Sequence, residues 1–253
     1  MVELTAWSWV ILAAGAVVVG LSKAALPGGG TLAVALFAAV LPARNSTGTL
    51  LVLLIVGDVF AILAYRRSAD WALLRRLVPT VLVGIVLGSV FLAATGDAVV
   101  RRVIAVILLA LIAVTLVRRY GPTRGGAAVG DQVSPGRQRL EATAYGALGG
   151  FTTMVANAGG PVMSMYFLAM RLGVWAFLGT SAWFFFAVNL VKVPFSVGLG
   201  LITAESLVID AVLAPLVIVG AFAGRKVASH MDQKLFERLV IALTLVSALN
   251  LLR

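Results

Sequence analysis

Two lysines stand out because of where they sit. Lys23 lies in Gly20-Leu21-Ser22-Lys23-Ala24, and Lys192 in Asn189-Leu190-Val191-Lys192-Val193-Pro194, both inside long apolar stretches. A charged side chain within a membrane helix costs at least about 2.5 kcal/mol, so it is expected to face a cavity or a partner, or to snorkel to an interface. Either lysine could attract a small anion. Asp58 and Asn189 occupy matching places in the two halves of the chain. Asp58 is a candidate to carry a coupling proton or sodium ion, and a structural ion pair is the alternative. Two helix-breaking clusters complete the set: Pro27-Gly28-Gly29-Gly30, and Asn157-Ala158-Gly159-Gly160-Pro161. A break at membrane depth leaves backbone N–H groups unpaired, which is tolerated only beside a cavity or inside protein. The helix after each break points those groups and its partial positive charge at the midplane, which makes an anion site. Pro161 suits the first helical position. For Gly84 and Gly88, tight helix packing is the preferred reading. Thr47, Thr49, Thr180 and Ser181 are expected to bond back to their own helices. Asp210 and Glu205 are expected to be solvated near a membrane edge, and Trp175, Trp183 and Phe184-Phe185-Phe186 to form lipid belt or packing.

The elements that must position these residues are membrane helices. Of 253 residues, 61% are hydrophobic and 12% charged, and mean hydropathy is +1.07. Half the usual density of charge leaves too little polar surface for a water-soluble domain. The net charge of +10 comes from basic residues paired beside apolar runs, as in Arg66-Arg67 and Arg225-Lys226. That placement sets topology and does not make a nucleic-acid face. There is no cysteine and one histidine, and no nucleophile–base set, phosphate loop or paired metal ligand. The expectation is therefore no enzyme, no metal and no cofactor. Glu3 and the lack of a basic leader argue for a retained first segment.

Continuously apolar runs give helices at 7–22, 29–41, 46–65, 72–95, 98–118, 140–156, 161–171, 175–199, 206–224 and 235–252. Segments 7–22, 29–41 and 161–171 fall short of the roughly 20 residues needed to span. They are expected to form two broken hairpins that meet inside the membrane. The domains expected are a first transmembrane repeat (1–118), a Gly/Pro/Arg-rich cytoplasmic linker without regular structure (119–139), and a second repeat (140–253).

The halves match. At an offset of 131, Gly28-Gly29 aligns with Gly159-Gly160, Gly48-Thr49 with Gly179-Thr180, and Asp58 with Asn189. At 136, Pro79 aligns with Pro215, Gly84 with Gly220, Gly88 with Gly224 and Arg102 with Arg238. Equivalent loops carry opposite charge: 66–76 holds four Arg while 200–205 holds only Glu205, and 225–234 is basic while 89–98 is not. The positive-inside rule then puts loops 66–76, 119–139 and 225–234 in the cytoplasm and both termini outside. The expected fold class is an all-α integral membrane protein with two inverted-topology repeats, each a broken hairpin plus about three full spans.

The sequence resembles the sulfite exporter TauE/SafE family over nearly its whole length. The resemblance rests on Pro27-Gly28-Gly29-Gly30, Gly48-Thr49, Asp70-Trp71 and Asn157-Ala158-Gly159-Gly160-Pro161. Its strongest part is Phe177-Leu178-Gly179-Thr180-Ser181-Ala182-Trp183-Phe184-Phe185 leading to Asn189-Leu190-Val191-Lys192-Val193-Pro194-Phe195. It implies a multi-pass carrier of the bacterial inner (plasma) membrane that moves small sulfur-containing or organic anions. Leu26-Pro27 replaces an expected glycine before the first cluster.

The function expected is secondary transport of a small anion by alternating access, with an anion channel or passive pore as the alternative. Substrate contacts are assigned to Gly28, Gly29, Gly30, Asn157, Gly159, Gly160, Pro161, Asn189, Lys192 and Lys23, and the coupling ion to Asp58. Partners expected are the small anionic substrate and the bilayer, not nucleic acid. A homodimer is one open oligomeric state.

Overall fold

A computed structural model describes residues 4–25, 29–96 and 135–251, with Val99, Arg102, Val103 and Val106 between them. The described residues are all-helical. The helices are α1 (Ala6–Ala24), α2 (Gly30–Ala38), α3 (Ala43–Tyr65), α4 (Trp71–Ala94), α5 (Pro135–Ala156), α6 (Gly159–Ala169), α7 (Val174–Gly198), α8 (Ala204–Ala228) and α9 (Gln233–Leu251). A 3-10 turn, Arg66–Ser68, joins α3 to α4. Segment 98–118 and most of the expected linker lie outside the described residues. The last five positions of that linker, 135–139, belong to α5, so the second half begins earlier than composition suggested.

Helices α1, α3, α4, α7 and α8 are each long and apolar enough to cross a membrane. That corrects one expectation. The first arm of the first break was read as short (7–22), but it extends over 19 residues because Thr5 caps it, its side chain accepting from Ser8 N, and because Lys23 does not end it. The second arms are short as expected. α2 has 9 residues and α6 has 11, rising about 14 and 17 Å against a hydrocarbon core of about 30 Å.

Close backbone approaches at glycines fix how the long helices run. A Cβ on Gly20 would lie 1.9 Å from Val217 O; one on Gly220 would lie 2.2 Å from Val17 O and one on Gly224 2.8 Å from Leu21 O, so the contacts advance together along both helices. α1 and α8 are thus packed backbone to backbone and run the same way. A Cβ on Gly84 would lie 2.2 Å from Ala147 O, and one on Gly88 2.9 Å from Met154 Cβ, so α4 and α5 form a second such pair. These two glycines are packing residues, as expected. α3 runs with α8, since Gly48 abuts Leu201 and Gly57 abuts Val217. α7 runs against α3: Asn189 meets Asp58, while Gly179 presses on the Tyr65 carbonyl and on Ala69 N. α4 runs with α7, Trp71 lying on Trp183 and a shared groove extending to Ile85 and Val191.

Caps explain several motif residues. Asp70 caps α4, its carboxylate accepting from Leu73 N at 3.0 Å, and its own N–H donates to Thr180 Oγ1 at 2.9 Å. Thr180 therefore fastens α7 to the α3–α4 turn and does not bond back to its own helix. Thr203 and Ser206 form a reciprocal capping box at the start of α8. Two apolar cores result. One gathers Leu12, Phe37, Leu53 and Val217, and the other gathers Leu77, Met163, Phe167, Phe177 and Phe236.

Candidate functional site

Each broken hairpin delivers a helix N-terminus to the same place. α5 ends at Ala156, and the chain turns at Asn157, whose φ of 52° is in the left-handed region that asparagine tolerates better than most residues. α6 restarts at Gly159, so Pro161 occupies the third helical position and not the first. It still lies in the first turn, where an N–H would have no intrahelical acceptor. Gly159 is glycine for space, since a Cβ there would stand 2.7 Å from Thr153 Cβ. In the first half, α2 starts at Gly30. Gly29 and Ala158 hold the N-cap positions and have no side chain able to cap, so neither helix start carries a side-chain cap, and Leu32 N takes the Gly29 carbonyl at 3.1 Å. Gly28 lies outside the described residues.

The two N-termini border one cavity of about 30 Å³, room for about two waters. Gly30, Thr31, Gly160 and Pro161 form its two helix ends, and Lys23, Thr153, Asn157, Phe185 and Asn189 form its sides. Small polar cargo fits this space, whereas a bulky organic molecule needs it to widen.

A buried polar chain runs beside the cavity. Lys23 Nζ is 2.7 Å from Asp58 Oδ1. Asn189 Nδ2 donates to Asp58 Oδ2 at 2.7 Å. Lys192 Nζ donates to Asn157 Oδ1, to Thr153 Oγ1 at 3.4 Å and to Asn189 Oδ1 at 3.5 Å. Asn157 Nδ2 in turn donates to the Thr47 carbonyl at 3.2 Å, tying the second break to the start of α3. Lys23 does not snorkel: its ammonium lies 4.6 Å from the Phe185 ring centroid, a cation–π contact. Phe185, expected in a lipid belt or as packing, is part of the site.

Charge decides what this chain of residues can hold. Asp58, fully buried, compensates Lys23. Lys192 is 1% exposed, and among the described residues its bonds go to neutral oxygens only. With both lysines protonated, two lysines against one aspartate leave one positive charge uncompensated. Two helix N-termini add partial positive charge on the same side. In a low-dielectric surrounding such a concentration favours a small anion.

Of the residues singled out, Gly30, Asn157, Gly160, Pro161, Asn189 and Lys23 line the cavity, while Lys192 and Asp58 stand behind the lining, Lys192 bonded to Asn157 and Asn189 and Asp58 to Lys23 and Asn189. Gly29 and Gly159 stand one residue behind the lining. Thr153, Ser22 and Thr31 also line the cavity and were not singled out by sequence. Thr153 could have been found: it lies one helical turn before Asn157 and faces the same way. Asp210 departs from expectation. It is 3% exposed in α8, and neither carboxylate oxygen has a hydrogen-bond partner, while Glu205 is exposed as expected. Asp210 lies one turn beyond Ser206 on the buried stripe of α8, which carries it inward with Leu213 and Val217. Thr49 and Ser181 likewise have buried hydroxyls without a hydrogen-bond partner, against the expected back-bonding.

No curated protein and no solved structure matches the chain. Residues 12–251 match the family described as Sulfite exporter TauE/SafE, which covers both breaks, all the cavity-lining residues and both lysines. With nearly the whole sequence inside that match, and five helices long and apolar enough to cross a membrane, the chain belongs to the sulfite exporter TauE/SafE family of membrane transporters.

Proposed function

We propose that the protein is a secondary transporter of a small anion, such as sulfite, a sulfonate or thiosulfate, working by alternating access in the inner (plasma) membrane. The observation that carries this reading is Lys192, a buried ammonium bonded to neutral oxygens beside two uncapped helix N-termini and a small cavity. The anion would take its charge contacts from Lys192 and its backbone donors from the first turns of α2 and α6. Asn157 and Asn189 would orient it, and Lys23 would be held in reserve by Asp58.

Two inverted repeats, 1–118 and 140–253, are part of the proposal. The opposed directions of α3 and α7 support it, as do those of α1 and α5 and of α4 and α8. The exchange of partners adds support, because the first helix of each half packs on the fourth helix of the other through Gly220 and Gly84, which are aligned in sequence. Both the Arg66–Ser68 turn and the Arg225-Lys226 end of α8 then lie at one end of the bundle, matching the positive-inside rule.

Coupling follows from the same charges. A proton or sodium ion neutralising Asp58 would leave both lysines uncompensated and strengthen anion binding. Cation and anion would therefore load together. A screen of sulfite, thiosulfate, sulfonates and small carboxylates by thermal shift tests the substrate class, since a ligand that binds only the native state raises the melting temperature. Flux in proteoliposomes tests the mechanism. Saturation with counterflow is expected, and unitary conductance steps would replace the carrier with an anion channel.

A further inference from the structure

A groove separate from the central cavity lies between α4 and α7. It has a volume of about 200 Å³. Trp71 and Arg75 stand at one end, Val78 and Trp183 along it, and Ile85 and Val191 at the other end. From Trp71 to Ile85, α4 rises about 21 Å, which exceeds half of a hydrocarbon core of about 30 Å. The groove is therefore as long as one lipid tail. Its outer wall is missing: Val78, Leu82 and Trp71 are between 42% and 52% exposed, and no helix among the described residues covers them.

The groove is apolar along its length, with an exposed cation, Arg75, at its mouth. Its lower part is aliphatic. Trp71 and Trp183 lie 5.1 Å apart by ring centroid and close its upper part. Above it, Arg75 uses its Nε to donate to Trp71 O at 3.3 Å, which leaves its two terminal nitrogens for another acceptor. No carboxylate pairs with Arg75 among the described residues. Arg66 and Arg67, in the neighbouring 3-10 turn, add charge at the same end.

From this arrangement we infer that the α4–α7 groove is a binding site for one anionic phospholipid. A tail fills the aliphatic groove, and the phosphate is held at its mouth by Arg75 near Arg66 and Arg67. The site does not depend on what the central cavity carries.

Tryptophan quenching by brominated lipid tests it. The full-length protein is reconstituted in phosphatidylcholine vesicles containing increasing tail-brominated phosphatidylglycerol, with tail-brominated phosphatidylcholine as the reference. Saturable quenching that favours the glycerol lipid is expected. Arg75→Gln, an exposed substitution, should cut that preference by about fivefold, since a basic residue near anionic lipid contributes about that factor, while tail quenching persists. Ala187→Phe, which fills the groove, should reduce quenching by both lipids. Equal quenching by both lipids in the wild type, or an unchanged preference in Arg75→Gln, overturns the proposal. So does exclusion of both lipids together with a dimer in mild detergent, which would make the groove an interface between copies.

Discussion

Replacing Lys192 by Met removes the uncompensated charge and nothing else of size, because the two side chains have similar length. The loss can be worked from the surroundings. Lys192 is 1% exposed, so solvent screens it weakly. At an effective dielectric of about 20, a unit charge about 4 Å from a bound anion contributes about 4 kcal/mol. That corresponds to about a thousandfold in affinity. The same change strips donors from Asn157, Thr153 and Asn189, but those residues can re-pair with water in the cavity, so the fold should survive. The assay is anion uptake into proteoliposomes over a wide concentration range, with thermal unfolding as the control for folding. Lys192→Met should lose measurable uptake at concentrations that saturate the wild type, while Lys192→Arg keeps a fraction. A folded Lys192→Met protein whose uptake stays within threefold of wild type would refute the electrostatic reasoning.

Other outcomes follow from the same geometry. Asp58→Asn should lower stability by about 3–5 kcal/mol, because it strands the Lys23 charge inside the protein, and adding Lys23→Met should recover most of that loss. Thermal unfolding of the two single variants and the double variant checks it. Gly20→Ala should be destabilising by about 1–3 kcal/mol through its clash with Val217 O, whereas Gly198→Ala, with nothing within 4 Å, should be close to neutral. Gly30→Ala separates packing from transport: its Cβ would meet only Ser22 Oγ at 3.5 Å, so the protein should fold normally, yet uptake should fall because the methyl group enters the cavity. Asp210→Leu should raise the melting temperature, since it replaces a buried carboxylate without partners by an apolar side chain of similar size.

What the sequence disclosed, and what it hid, has a physical pattern. Breaks at glycine and proline are local, so both short helices and both N-termini were readable before any contact was known. Charges in apolar runs are conspicuous for the same reason, and Lys23, Asp58 and Lys192 do converge. Pairing is not local. Nothing in the sequence said that Lys23 would take Asp58 while Lys192 took neutral oxygens, and that division sets the charge of the site. Helix ends were misjudged where composition misled: Lys23 looked like a terminus but is absorbed by Asp58, so α1 runs to full length. Asp210 was misplaced because its distance from the start of α8 suggested a membrane edge, whereas its orientation, fixed by the stripe it shares with Ser206 and Leu213, turns it inward. Phe185 looked like one member of an aromatic run, and only the fold of α1 against α7 puts a lysine over its ring.

The central claim is that an anion sits between two helix breaks beside Lys192. A structure determined with selenite, the selenium counterpart of sulfite, tests this directly because selenium can be located by its anomalous scattering. The account predicts a single selenium peak inside the cavity, with its oxygens within hydrogen-bonding reach of Lys192 Nζ and of the first-turn amides at Gly30 and Gly160. A peak at another place in the bundle, or an empty cavity at saturating selenite, would contradict it.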